Sequence, residues 1–329
     1  MSHTRKLRVL LAIAALLPVP ALAQEPAAAP APAAAAAPAA KSEAPATVEY
    51  SRKGADTCLS CHDDEVTLAV FHGRHGQPGD ARSPFGKGQL QCEACHGPGG
   101  THTKRLKSGE KRPPVIRFGA DSVTPVAKQN AMCLGCHAKS MAADWHSGPH
   151  DTAKVSCASC HDSHAKRDAV LATRTQPEVC YTCHASQRTQ FQKPYAHPVR
   201  QGQLACSDCH APHGTTAEGQ LRRATLNDTC YECHADKRGP FLWEHAPVSE
   251  DCSNCHAPHG STSPGLLTAR GPLLCQSCHS QAGHPSFAYG PAGLPSNGGS
   301  VSSLVLGNCM NCHSQVHGSN HPSGSTLTR

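Results

Sequence analysis

The stretch Cys230-Tyr-Glu-Cys-His234, followed after seventeen residues by Cys252-Ser-Asn-Cys-His-Ala-Pro-His-Gly260, decides how this chain folds. It is one unit of a repeat. The same five-residue motif, Cys-X-X-Cys-His, occurs ten times in 329 residues and uses all 20 cysteines. Its members are Cys58, Cys61 and His62; Cys92, Cys95 and His96; Cys133, Cys136 and His137; Cys157, Cys160 and His161; and Cys180, Cys183 and His184. The second half holds Cys206, Cys209 and His210; Cys230, Cys233 and His234; Cys252, Cys255 and His256; Cys275, Cys278 and His279; and Cys309, Cys312 and His313.

Cys-X-X-Cys-His is the attachment signature of a c-type haem. Both thiols bond to the porphyrin and the adjacent histidine binds iron from one face. The competing readings fit less well. A structural zinc site needs two such units or a second Cys/His pair, and a disulfide framework has no use for histidine at a fixed offset. Ten covalently bound haems are therefore expected.

The motif starts lie 34, 41, 24, 23, 26, 24, 22, 23 and 34 residues apart, and alternate motifs resemble each other. Motifs four, six and eight carry a second histidine three residues on: His164, His213 and His259. Motifs three, five and seven do not. The period is thus two haems in about 45–50 residues, and five such units fill the chain, each unable to bury its haems without a neighbour. Aromatic residues are only 4% of the chain, while glycine and proline number 28 and 27. No long apolar periodicity survives. The expected fold is an elongated multihaem cytochrome c of five two-haem repeats, with short helices and irregular loops around a haem core and almost no sheet.

Twenty-four histidines allow a ligand count. Ten are proximal and His3 precedes the repeats, which leaves thirteen. Three couples offer close alternatives: His72 or His75, His146 or His150, and His317 or His321. One from each couple gives ten distal ligands for ten irons. The spacing from His184 to His197 and from His234 to His245 favours His75 and His150, and His317-Gly318 matches His213-Gly214 and His259-Gly260. The distal set is then His75, His102, His150, His164, His197, His213, His245, His259, His284 and His317. His164 is too close to His161 to reach across the same porphyrin, so it should serve a neighbouring haem. Residues three apart on a helix have Cβ atoms about 5–6 Å apart, which would put two such irons about 10 Å apart and nine steps at roughly 90 Å. With imidazole on both faces no iron keeps an open position, so an electron carrier is expected and not an enzyme. Met132, Met141 and Met310 are too few to replace imidazole and read as packing.

The first 23 residues read as a secretory signal: basic Arg5, Lys6 and Arg8, an apolar Val9 to Leu17, and Ala21-Leu22-Ala23 as cleavage site. That apolar run is too short to span a bilayer. Residues 24–50 form an Ala/Pro-rich leader with nothing to bury, and residues 51–329 form one decahaem domain. Signal and haem attachment together point to the periplasm. Three of the 30 basic residues lie in the signal, so the rest of the chain has 27 against 24 acidic residues. Ten oxidised haems contribute about −10 and ten reduced ones about −20, which reverses this balance. The basic sequence is thus no argument for nucleic acid, and Lys104, Arg105, Lys107, Lys111 and Arg112 read as a solvated loop face, with a docking patch as the alternative.

The ten motifs, the signal and the ending Cys312-His-Ser-Gln-Val-His-Gly-Ser-Asn-His-Pro-Ser-Gly324 resemble the MtrA/DmsE family of periplasmic decahaem cytochromes c. The resemblance covers about residues 51–324. It implies a haem wire inserted in an outer-membrane β-barrel porin. On one side stands a periplasmic or inner-membrane cytochrome donor, on the other an extracellular multihaem cytochrome or reductase. A soluble periplasmic shuttle and, less favoured, a multihaem reductase are the alternative functions.

Overall fold

A computed structural model of the chain describes residues 48–139, 142–146, 148–279, 309–311, 313–322 and 324–328. The secretory signal, residues 24–47 of the leader, Met141, His284 and Cys312 lie outside the described residues. The described residues belong to a unit that begins at Val48.

Each motif closes one helical turn. The histidine N–H donates to the carbonyl of the first cysteine, for example His184 to Cys180 at 3.0 Å and His210 to Cys206 at 2.9 Å. A turn of 3.6 residues puts positions i, i+3 and i+4 on one side. The spacing Cys-X-X-Cys-His therefore aims both thiols and the imidazole at one ligand. The turn differs between odd and even motifs. Odd motifs end or lie within α-helices: Ala55–Leu59, Val126–His137, Gln176–Tyr181, Leu226–Tyr231 and Gly271–Gln276. Even motifs four, six, eight and ten are bare 3-10 turns starting at Cys157, Cys206, Cys252 and Cys309. The second motif alone among the even ones is α-helical, Cys92–His96. Short-range chemistry starts the odd helices: Thr225 accepts from the Asp228 N–H at the head of Leu226–Tyr231, and Pro177 and Pro272 occupy first turns.

Amide side chains hold the two halves of a unit together. Asn130, three residues before Cys133, donates to the Val155 carbonyl at 3.0 Å and accepts from Cys157 N–H at 2.9 Å. Asn227, three before Cys230, does the same for Val248 at 2.9 Å and Cys252 at 2.8 Å. In the third unit Gln176 reaches the Val170 carbonyl and the backbone of Ser207. Asn130 and Asn227 are buried, so their hydrogen bonds are made where water cannot substitute for them.

Consecutive units meet through their backbones. Tyr195 pairs with Ser261 and Trp243 with Ser319 as isolated antiparallel bridges. Among the described residues β-structure goes no further than four such bridges. Glycine is required at the joints. Gly214 and Gly260 follow His213 and His259 with φ of 114° and 150°, and a Cβ there would overlap the carbonyl oxygens of Asp144 and Gln190. Ordinary apolar packing is sparse. Tyr181, Phe191 and Val199 form one small cluster, and the buried apolar residues of the described chain, glycines aside, otherwise amount to Ala55, Val70, Ile116, Trp145, Pro177 and Ala205. None of the described helices is long and apolar enough to cross a membrane.

Candidate haem sites

Nine proximal imidazoles each face a second imidazole. The pairs are His62 with His102 (6.4 Å between ring centroids), His96 with His164 (6.2 Å), His137 with His75 (6.1 Å), His161 with His213 (5.9 Å) and His184 with His150 (6.2 Å). The others are His210 with His259 (6.0 Å), His234 with His197 (6.3 Å), His256 with His317 (6.1 Å) and His279 with His245 (6.0 Å). This separation tests the fit of a haem. An imidazole nitrogen binds a metal at about 2.0–2.1 Å, and the ring centre lies about 1.2 Å beyond, so two axial ligands need about 6.4 Å between centres. Nine pairs sit at or just inside that distance. His313, the tenth proximal imidazole, has His284 as its expected partner, outside the described residues.

The histidine couples divide by burial. His75, His150 and His317 are half-buried and face a partner, whereas His72, His146 and His321 are exposed. His146 lies 3.5 Å from Asp151.

Hydrogen bonds orient the rings. The Nδ1–H of His96, His102, His150, His197, His210 and His256 donates to the carbonyls of Ile116, Pro113, Pro212, Pro258, Gly219 and Gly265, all at 2.7–2.8 Å. A carbonyl can only accept, so Nδ1 carries the proton and Nε2 is left with a lone pair for iron. His245 reaches Val316 at 3.1 Å, and His259 uses the Gln190 side-chain oxygen at 3.0 Å. His161 differs: its partner is the carboxylate of Asp168, at 2.7 Å. Burial pushes the imidazoles of His75, His96, His259 and His317 below the usual range, which favours the neutral form that binds iron.

The distal ligands cross between units. His75 and His150 lie in the first and second units but face the third and fifth motifs, one unit ahead; His197 and His245 face the seventh and ninth. His164, His213, His259 and His317 reach one unit back, to motifs two, four, six and eight. Each junction exchanges ligands in both directions. Among the described pairs, His102 closes a site of its own unit, facing His62 of the first motif. One expectation needs correction here. His164 serves the site two places back from its own motif, so the His161 to His164 link relates alternate sites. The 10 Å step between consecutive irons, and the 90 Å line built on it, do not follow from that link.

Thiol contacts establish the order of the sites. Within units the first cysteines meet: Cys58 with Cys92, Cys133 with Cys157, Cys180 with Cys206, Cys230 with Cys252 and Cys275 with Cys309. Between units the second cysteine of an even motif lies near the next odd motif: Cys95 by Cys133, Cys160 by Cys180, Cys209 by Cys233 and Cys255 by Cys278. The sites therefore follow one another in chain order, in the five pairs that the spacing suggests. None of the nineteen described cysteines is in a disulfide, which leaves each motif pair for haem. Burial pushes the thiols of Cys92 up to about 11 and Cys230 to about 12.

The Nδ1 partners, the amide clamps and the exchange between units were not read from the sequence. A signal for the clamps was present, since Asn130 and Asn227 both precede a first cysteine by three residues.

Comparison with known proteins points to the same cofactor class. The doubled CXXCH motif family matches residues 197–239 and 245–284, and an NrfB-like cytochrome c family matches residues 92–177. Multiheme cytochrome MtrA of Shewanella baltica is 49% identical over 282 residues, covering 85% of this chain and 83% of that protein. Cytochrome c-type protein NrfB of Haemophilus influenzae is 29% identical over 134 residues, 38% of this chain and 55% of its own length. With covalent c-type haem motifs throughout and near half of its residues shared along most of both chains, the protein belongs to the MtrA family of multihaem electron-transfer cytochromes.

Proposed function

We propose that the chain holds ten haems, each between two histidines, and carries electrons across the outer membrane inside a β-barrel porin. The observation that carries the reading is the set of nine facing imidazole pairs in chain order. When bound, haem iron supplies a one-electron couple between ferric and ferrous states. The protein's own part is to close both faces of each iron, so that no substrate reaches it, and to hold neighbouring sites in contact. Cys58, Cys61 and the other motif cysteines tether the porphyrins. The ten proximal and ten distal histidines, His284 among them, bind iron. A saturated iron exchanges electrons without binding oxygen, nitrite or another substrate, and this supports a carrier over an enzyme.

The outer-membrane setting rests on the family resemblance of the ending His317-Gly-Ser-Asn-His-Pro322 and on the secretory signal at residues 1–23. In this reading the donor is a periplasmic or inner-membrane cytochrome and the acceptor an extracellular multihaem cytochrome or reductase. The Ala/Pro leader acts as a tether. The test is to purify the native protein from outer-membrane extracts, count haem per chain and record its electron paramagnetic resonance. Ten low-spin haems and a co-purifying barrel protein are expected. A high-spin haem that binds added ligand would favour a reductase. Recovery of all the protein in the soluble periplasm, with no barrel captured by crosslinking, would favour a soluble shuttle.

A further inference from the structure

We propose that Asp168 holds the fourth haem at a lower reduction potential than the other haems of the even series, making that site an energetic step in the wire. The inference rests on the electron-transfer reading above. All five even-motif proximal imidazoles have a described Nδ1 partner. For His96, His210, His256 and His313 it is a backbone carbonyl, of Ile116, Gly219, Gly265 and Thr326 at 2.6–2.8 Å. For His161 it is the Asp168 carboxylate at 2.7 Å.

The sequence explains the substitution. In the third and fourth units the loop after the even motif contains Gly219 and Gly265, with φ of 62° and 68°. That left-handed backbone turns their carbonyls toward the imidazole nine residues earlier. The second unit has no glycine between His161 and Thr175 and cannot use this glycine turn; the first and fifth units instead use the carbonyls of Ile116 and Thr326. Asp168 supplies the acceptor from its side chain, seven residues after His161. The carboxylate is itself fixed. Oδ1 accepts from the N–H groups of Asp162 and Val170, both at 3.3 Å, and Oδ2 faces His161. The side chain is 14% exposed, so solvent screens its charge poorly.

A full negative charge on the acceptor draws the Nδ1 proton more strongly than a carbonyl dipole does. It makes Nε2 a stronger donor and stabilises the more positive ferric iron. The charge of Asp168 also reaches His75, the expected ligand of the third site, so the third haem feels it from further away. The fourth site would then separate three haems before it from six after it.

The test uses full-length holoprotein carrying Asp168, Asp168→Asn or Asp168→Glu, titrated spectroelectrochemically with haem content and spin state measured on the same samples. Asparagine keeps an oxygen acceptor and removes the charge. One component, about one-tenth of the absorbance change, should move toward the ferrous form by about tenfold, equal to 59 mV for a one-electron couple. The glutamate variant should return toward the parent. An asparagine variant with full low-spin haem and an unchanged titration overturns the proposal and leaves the electron-transfer reading intact. A high-spin, ligand-binding haem in the parent protein overturns that reading instead. Should asparagine cost the fourth haem, the missing component must lie at lower potential than at least four of the nine that remain. A missing component that lies above six or more of them overturns the proposal.

Discussion

His259 offers a clean test of the exchanged ligands. It belongs to the fourth unit, yet its ring lies 6.0 Å from His210 in the third, and its Nδ1–H is held by Gln190 at 3.0 Å. His259→Ala removes the imidazole and leaves the sixth iron bound on one face. Alanine reaches no further than Cβ and cannot approach the metal, so a five-coordinate or water-bound high-spin iron results. The sixth site is one of ten, so about one-tenth of the ferric haem should turn high-spin, and about one carbon monoxide should bind per reduced chain where the parent binds none. Electron paramagnetic resonance and carbon monoxide titration read both. His72→Ala, His146→Ala and His321→Ala remove the exposed alternatives and should leave both readouts unchanged. A fully low-spin His259→Ala protein that binds no carbon monoxide would refute the pairing, because another side chain would have to close that iron.

Ring orientation gives a second readout: the imidazole planes of sites one, four, eight and nine lie within 13–27° of each other, while those of sites two, three and five stand at 76–83°. Near-parallel ligands split the iron d orbitals and near-perpendicular ones leave them almost degenerate, so resonance spectra of the oxidised protein should contain a rhombic and a large-gmax class of low-spin signal; a single class would contradict these angles. Asn227→Ala removes the clamp on Val248 and Cys252 and strands the half-buried Cys252 N–H, so chemical denaturation of the holoprotein should show a loss of about 1–3 kcal/mol. Chain made without haem attachment should show no cooperative thermal transition by circular dichroism, since the buried apolar residues are few and small.

Local features were readable from residue order because their causes are local. Cys-X-X-Cys-His places two thiols and an imidazole on one helical turn whatever surrounds it, and the count of 24 histidines against ten motifs points to a second imidazole per site. The alternation of motifs with and without a close second histidine reflects a real pairing, since first cysteines meet within units and second cysteines face the next unit. The absence of glycine after His161 was equally visible, but its meaning was not. A missing glycine becomes informative only once Gly219 and Gly265 are seen to hold His210 and His256.

By itself the chain order determined where the Cys-X-X-Cys-His motifs lie, how many there are and which further histidines accompany them. Only tertiary structure decided where each described second histidine goes. Those destinations depend on how units stack: the Tyr195–Ser261 and Trp243–Ser319 bridges, and the glycines that let His213 and His259 pass close to a neighbour's backbone, bring residues of separate units together. Spacing along a chain constrains contacts within a turn or two, whereas a ligand exchanged between units obeys the packing of two units at once. For the same reason the short link from His161 to His164 joins alternate sites, although on paper it reads as a step between neighbours.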